Sequence, residues 1–281
     1  MTIPKLFASD VDGTFNNASH DYDAVYFAKV LEEINQRGSH FIIASGRDSR
    51  RIAQTFKPFI GKIDIVSNNG AYVKTADGEV IGTFPMDPAV VVAAHEIIEA
   101  IPTKLKRTTV FTGITKHYMF RHEALVNWQH TVWLLSLSKL VLIKDFTDID
   151  EPIVKITFSM DEHQTTTFIQ QARAELDGKA HVTTSGYGSI DIVAPDVNKA
   201  HGIQLIADYY GLEAADLAAF GDGINDIEML DLAGRPFAMP NGHMALIEAY
   251  PAACADNNNN GVLKTIEQLL QDNLQDTKTA N

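Results

Sequence analysis

The chain has 281 residues, enough for one large domain or two of ordinary size, and its 45% hydrophobic content supports a substantial core. With 23 basic against 36 acidic residues the formal net charge is -13, which repels nucleic acid and anionic membrane surfaces and excludes both as expected partners. A single cysteine, Cys254, excludes an intramolecular disulfide and a thiolate metal cluster, and is expected as a small core residue.

The opening "MTIPKLFASD" lacks a long apolar signal region. "KLFAS" then reads as a buried strand and "DAVYFAKVLEEINQRG" as an amphipathic helix with Gly38 after its end. "HFIIAS" is a second buried strand, "SGRDSRRIAQTFKPF" starts like a capped helix, "DIVS" is a third strand, and "AYVKTADGEVIGTF" reads as a hairpin around Asp77 and Gly78. Continuous apolar strands between helices predict a parallel sheet covered on both faces, a Rossmann-like α/β core.

From residue 86 to 190 the pattern changes. A helix over 86–101 is followed by strands at "TTVFTG" and "KHYMFR", a helical stretch over 122–135, strands "KLVLI" and "IVKITFS", a helix over 162–176, and strands "AHVTT" and "SIDIVA". Strands in neighbouring pairs predict an inserted α+β module with an antiparallel sheet. Within it "VWLLSLSKLVLI", residues 132–143, is too short for a membrane span and carries a lysine, so a cytoplasmic protein is expected. Alternation returns from about residue 197: "KAHGIQLIADYYGL" is a helix, "DLAAFGD" a buried strand, "NDIEMLDLA" a helix and "GVLKTIEQLLQ" a closing helix, after a polar "NNNN" loop and before the tail "DTKTAN".

Ligands of open parallel sheets bind beyond the carboxyl ends of the strands. "LFASDVDGTF" delivers Asp10 and Asp12 there. In extended backbone, side chains two apart face one side, so two carboxylates crowd into one volume at a cost that a cation or a shared proton relieves. "ASGRD" adds Ser45 and Gly46, "GDGIND" adds Asp222, Asn225 and Asp226, and Lys199 opens a helix. Singly, each has an ordinary explanation: a turn for the aspartates and for "SNNG" at 67–70, a helix cap for Ser45, a solvated surface charge for Lys199. Together, Asp10, Asp12 and Asp222 form a hard oxygen set suited to Mg²⁺, while Ser45, the amide of Gly46 and Lys199 offer donors and charge for a phosphate.

"DVDGT", "ASGR", Lys199 in "VNKAHGI" and "GDGINDIEML" occur in the order of the four motifs of the haloacid dehalogenase (HAD) superfamily, and the chain resembles its Cof-type phosphatases with a C2 (type IIB) cap. The resemblance implies a core of residues 1–85 and 191–281 and a cap of residues 86–190. It implies Asp10 as nucleophile forming an aspartyl phosphate and Asp12 as the group that protonates the leaving oxygen and then activates water. Ser45, Gly46, Lys199 and Asn225 would hold phosphate; Asp10, the backbone carbonyl of Asp12 and Asp222 would bind Mg²⁺, with Asp226 in support. Arg47 and Asn69 are expected near the substrate.

Two departures touch no expected catalytic group: His201 follows Lys199 within Ala-His-Gly where Lys-Gly is frequent, and Pro240 stands in "AMPNG" where glycine is common. His201 is expected on a helix face, and His95, His117, His122 and His130 in cap surface or core roles rather than as metal ligands. The leading expectation is a Mg²⁺-dependent phosphomonoesterase acting on a small phosphorylated metabolite such as a sugar phosphate. A phosphosugar mutase or other phosphotransferase using the same aspartyl phosphate, and a non-catalytic phospho-accepting switch or metal-dependent sensor, stay open as alternatives.

Overall fold

The computed structural model describes residues 3–102, 108–126, 139–186 and 188–279. It divides into two compact units, Met1–Gly82 with Lys199–Asn281, and Thr83–Asn198. The first unit is built on a seven-stranded sheet in the order β13-β12-β1-β2-β3-β4-β5, where β1 is Leu6–Ser9, β2 His40–Ala44, β3 Asp64–Ser67, β4 Tyr72–Lys74, β5 Val80–Thr83, β12 Leu217–Gly221 and β13 Arg235–Ala238. The strands from β13 to β3 are parallel and β4 turns back antiparallel on β3, while β4 and β5, which flank Asp77 and Gly78 where the hairpin was expected, are neighbours in the sheet. β1 and β12 are buried along their whole length, which is why they read as unbroken apolar runs rather than as alternating ones.

Helix α1, Ala24–Gln36, buries Phe27, Val30, Leu31 and Ile34, the i, i+3, i+4, i+7 stripe of a helix lying on a sheet, and starts where the Asp23 side chain accepts from the Tyr26 amide. Phe27 packs edge-on against Phe15 with centroids 4.8 Å apart, so the turn that follows β1 is pinned into the core at Phe15. Helix α2, Ser49–Thr55, is capped by Asp48, which accepts from the amides of Arg50 and Arg51. Cys254 is exposed, contrary to its expected core place; Ala253 beside it is the buried residue, and the thiol accepts from Thr265 Oγ1 at 3.3 Å. The final helix, Gly261–Thr279, extends through most of the expected tail.

The second unit holds a six-stranded sheet in the order β10-β11-β9-β6-β7-β8: β6 is Val110–Gly113, β7 His117–Phe120, β8 Leu140–Ile143, β9 Ile153–Ser159, β10 His181–Gly186 and β11 Ser189–Val193. Its pairs are antiparallel except β7 with β8, which is parallel. Parallel neighbours need a crossover, and α4, Arg121–Val126, opens it; the remainder of the helix expected over 122–135, with His130, lies outside the described residues. One sheet face packs on helices α3, Pro88–Glu99, and Glu162–Leu176, through Phe158 against Phe168 and through His95 stacked on Phe120 at 4.7 Å. His122 lies near the same ring, at 5.5 Å. The other face carries Thr112, His117, Lys155 and Asp191, with Thr112 Oγ1 3.1 Å from His117 Nδ1 and Lys155 paired to Asp191 at 3.4 Å.

The chain passes between the units at 82/83 and 198/199, not at the expected 85/86 and 190/191. β11 is the reason for the second difference: residues 189–193 pair along β9 and cannot belong to the other sheet. Among the described residues no helix is long and apolar enough to cross a membrane.

Candidate active site

Three adjacent parallel strands, β12, β1 and β2, end at one edge of the first unit's sheet, and the next residue of each is Asp222, Asp10 and Ser45 respectively. Neighbouring strands lie about 4.8 Å apart, so the pairing itself brings these side chains together from positions 10, 45 and 222. The ladder continues into the edge, with the Asp10 amide donating to Phe220 O at 3.0 Å and the Ser45 amide to Val66 O at 2.8 Å.

Lys199 enters from the first turn of the helix Lys199–Tyr210. That helix presses on β3 at Gly202, where an added Cβ would meet Val66 Cγ1 at 2.5 Å; the close approach seats Lys199 only 1% exposed. Its Nζ donates to Asp10 Oδ1 at 2.6 Å and to Asp226 Oδ1 at 2.5 Å. The second oxygen of Asp226 accepts from the amides of Asp222 and Gly223 at 3.0 and 2.9 Å, so this carboxylate braces the loop after β12. Thr14, a residue the sequence reading passed over, donates to Asp222 Oδ1 at 2.6 Å.

Carboxylate oxygens of Asp10, Asp222 and Asp226 lie within 4.8 Å of one another. Burial pushes the Asp10 carboxyl well up; the ammonium of Lys199 opposes this, and Asp226 and Asp222 add to it. Burial, with Asp226 beside it, raises Asp222 to about 6. Burial alone would lower Lys199, but the two carboxylates on its Nζ outweigh burial and hold it above its ordinary value. Three carboxylates against one ammonium leave negative charge uncompensated, and a hard divalent cation fits that deficit and the all-oxygen donor set. Gly13 shapes the same place: its φ is +82°, and a Cβ there would come within 2.3 Å of Asp222 Oδ2.

Asp12 is outside this trio. Its side chain is 47% exposed and pairs with Arg47, whose Nε donates to Oδ2 at 2.8 Å and whose Nη2 donates to Oδ1 at 2.5 Å. The crowding expected of the i, i+2 aspartates is therefore relieved by two separate cations, Lys199 for Asp10 and Arg47 for Asp12. Ser45 is buried, and its Oγ accepts from the Arg47 amide at 3.2 Å. Asn69 is buried against it, its amide donating to the Ser45 carbonyl at 3.0 Å, and adopts a left-handed φ of +55°. Gly46 follows Ser45 half-buried, Asn225 is buried in the turn Ile224–Asp226, and His201 is half-buried on the helix of Lys199 without joining the carboxylate trio.

Two asparagines extend the site. Asn241, from "AMPNG", donates through Nδ2 to the Gly13 carbonyl at 2.7 Å and accepts the Asn257 amide at 3.1 Å, while Asn257 Nδ2 donates to Asn16 O at 2.9 Å. The "NNNN" run is thus part of the clasp around the Asp12 turn, a role with no local signal beyond its polarity.

The family described as haloacid dehalogenase-like hydrolase matches residues 7–266. The chain is 28% identical over 269 residues to the 5-amino-6-(5-phospho-D-ribitylamino)uracil phosphatase YbjI of Escherichia coli, covering 95% of this chain and 96% of that one. It is 24% identical over 263 residues to the HMP-PP phosphatase of Cronobacter sakazakii, covering 89% of each. Among solved structures, SMU.1108c from Streptococcus mutans superposes with a TM-score of 0.86 at 26% identity, over 95% of this chain and 99% of that one. A HAD subclass IIB sugar phosphatase shares the fold, with a TM-score of 0.77 at 20% identity over 94% and 98%.

Proposed function

The chain belongs to the haloacid dehalogenase-like hydrolases and is a phosphatase of that family, and from that premise we propose that it hydrolyses a small phosphorylated metabolite, a sugar phosphate or similar compound, through an aspartyl phosphate on Asp10. The observation that carries this reading is the buried Asp10–Lys199–Asp226 cluster, with Asp222 beside it and Ser45 on the adjoining strand end.

An Asp10 oxygen attacks phosphorus, the bond to the leaving oxygen breaks, and Asp12 gives that oxygen a proton. Asp12 then takes a proton from a water as the water oxygen bonds to phosphorus and the bond from phosphorus to the Asp10 oxygen breaks, freeing the carboxylate. Ser45, the Gly46 amide, Lys199 and Asn225 hold the phosphoryl oxygens. Lys199 keeps Asp10 aligned and offsets charge where an anion must approach an anion. Asp10, Asp222 and the backbone carbonyl of Asp12, with Asp226 in support, would hold Mg²⁺, which when bound supplies the positive charge the carboxylate trio lacks.

Purified protein assayed on p-nitrophenyl phosphate and a panel of phosphorylated metabolites is expected to release phosphate only with Mg²⁺, and the Asp10→Asn variant to release none. Undiminished release by that variant, or transfer of phosphate to a second sugar in preference to water, sinks the proposal.

A further inference from the structure

The contact between Arg47 and Asp12 has a geometry that stability does not explain. Two parallel N–H donors reach the two carboxylate oxygens, at 2.8 and 2.5 Å, which fixes the plane and direction of the carboxyl group as well as its place. An ion pair whose acid is 47% exposed contributes little to folding. The arginine is the rigid partner: its side chain is 12% exposed, its Nη1 donates to Thr55 Oγ1 at 3.2 Å, and that hydroxyl donates onward to Arg51 O at 2.9 Å inside α2. A guanidinium anchored on a helix thus presents its fork to a carboxylate standing in a turn. His20 Nδ1 lies 3.7 Å from Asp12 Oδ1, with 79% of its side chain exposed, too far to fix that orientation.

We propose that Arg47 is the positioning residue for proton transfer by Asp12, holding the carboxyl group in the orientation from which a proton reaches the leaving oxygen. This rests on the acid and base roles given to Asp12 above. In the first half-reaction the proton on Asp12 passes to the leaving oxygen as the Asp10–phosphorus bond forms and the ester bond breaks. In the second, the Asp12 carboxylate accepts a proton from the attacking water as the Asp10–phosphorus bond breaks. A misaligned Asp12 harms the first step in proportion to how much the leaving group needs that proton.

The test is leaving-group dependence. kcat/KM reports the steps through cleavage of the ester, so it is measured with Mg²⁺ across aryl phosphates from p-nitrophenyl, which departs as a stable anion, to p-methoxyphenyl, which does not. Arg47→Gln is expected to lose at least tenfold more on p-methoxyphenyl than on p-nitrophenyl phosphate. Arg47→Lys, which keeps the charge and loses the fork, is expected to fall between wild type and Arg47→Gln, and it decides alone if the glutamine variant does not fold. Equal losses on all esters would mean that Arg47 acts on the phosphate or the fold, and no loss would mean the fork is idle; either overturns the proposal. Asp12→Asn, run in parallel, separates the two readings. If it shows the steep leaving-group dependence and the Arg47 variants do not, Arg47 positioning alone has failed; if Asp12→Asn shows none, the acid–base role of Asp12 has failed and Arg47 positioning with it.

Discussion

Lys199 shares one ammonium between two buried carboxylates, and removing it leaves both without their cation. Lys199→Met is expected to cost about 3–5 kcal/mol in urea unfolding at pH 7 with metal chelated. The deficit should shrink toward pH 5. Without Lys199 nothing opposes the burial that raises Asp10 in the fold, and a carboxyl raised above its unfolded value stabilises at low pH and loses that contribution as pH rises. An equal deficit at both pH values would contradict this. A second buried acid, Asp64, lies at the opposite end of β3 from Asn68 and Asn69: it is 1% exposed, and Oδ1 accepts from Ala76 N and Tyr210 OH at 2.8 and 2.9 Å. Burial raises it to about 6 from an ordinary 3.8, so its contribution is full below pH 3.8 and lost as pH rises through 6. The unfolding free energy of wild type relative to Asp64→Asn should rise on the order of 2–3 kcal/mol from pH 7.5 to pH 4. Parallel curves for the two proteins would be the contrary result.

At the scale of elements, adjacent parallel strands place Asp222, Asp10 and Ser45, while loops from distant parts of the chain hold the turn after β1 in shape. Phe15 anchors the turn from below, and Asn241 with Asn257 clasps it through backbone groups of Gly13 and Asn16. Asn241→Ala removes two of these bonds and should cost about 1 kcal/mol of stability. The activity loss should be larger, about tenfold to a hundredfold in kcat, because a small displacement of Asp12 degrades alignment far more than it degrades packing. A stability loss with unchanged kcat would show that the clasp does not serve the turn.

At the scale of the whole molecule, each unit has its own sheet, and the carboxylates, Lys199, Ser45 and Arg47 all belong to the first. Metal binding should therefore be a property of the first unit by itself. His117→Ala and Thr112→Val, on the second unit's sheet, should leave Mg²⁺ affinity, measured by calorimetry, within about twofold of wild type. Loss of metal affinity in these variants would argue against that assignment.

The parallel core, its helices and the grouping of Asp10, Ser45, Lys199 and Asp222 were legible in the amino-acid order, because unbroken apolar runs, caps and short motifs are local signals of backbone state. The parallel pairing of β7 with β8 was not, since it depends on which strand a crossover returns to, and neither was the passage between units at 198/199, since residues 189–193 read as a strand wherever they pair. Arg47 was expected near the substrate; only the folded chain showed its fork on Asp12, together with Thr14 on Asp222 and the Asn241–Asn257 clasp. Sequence determines which groups arrive at the end of a strand. Which of them meet, at what distance and with which counter-charge, is decided by contacts between segments up to 241 positions apart, such as Asn16 with Asn257, and no local pattern carries that information.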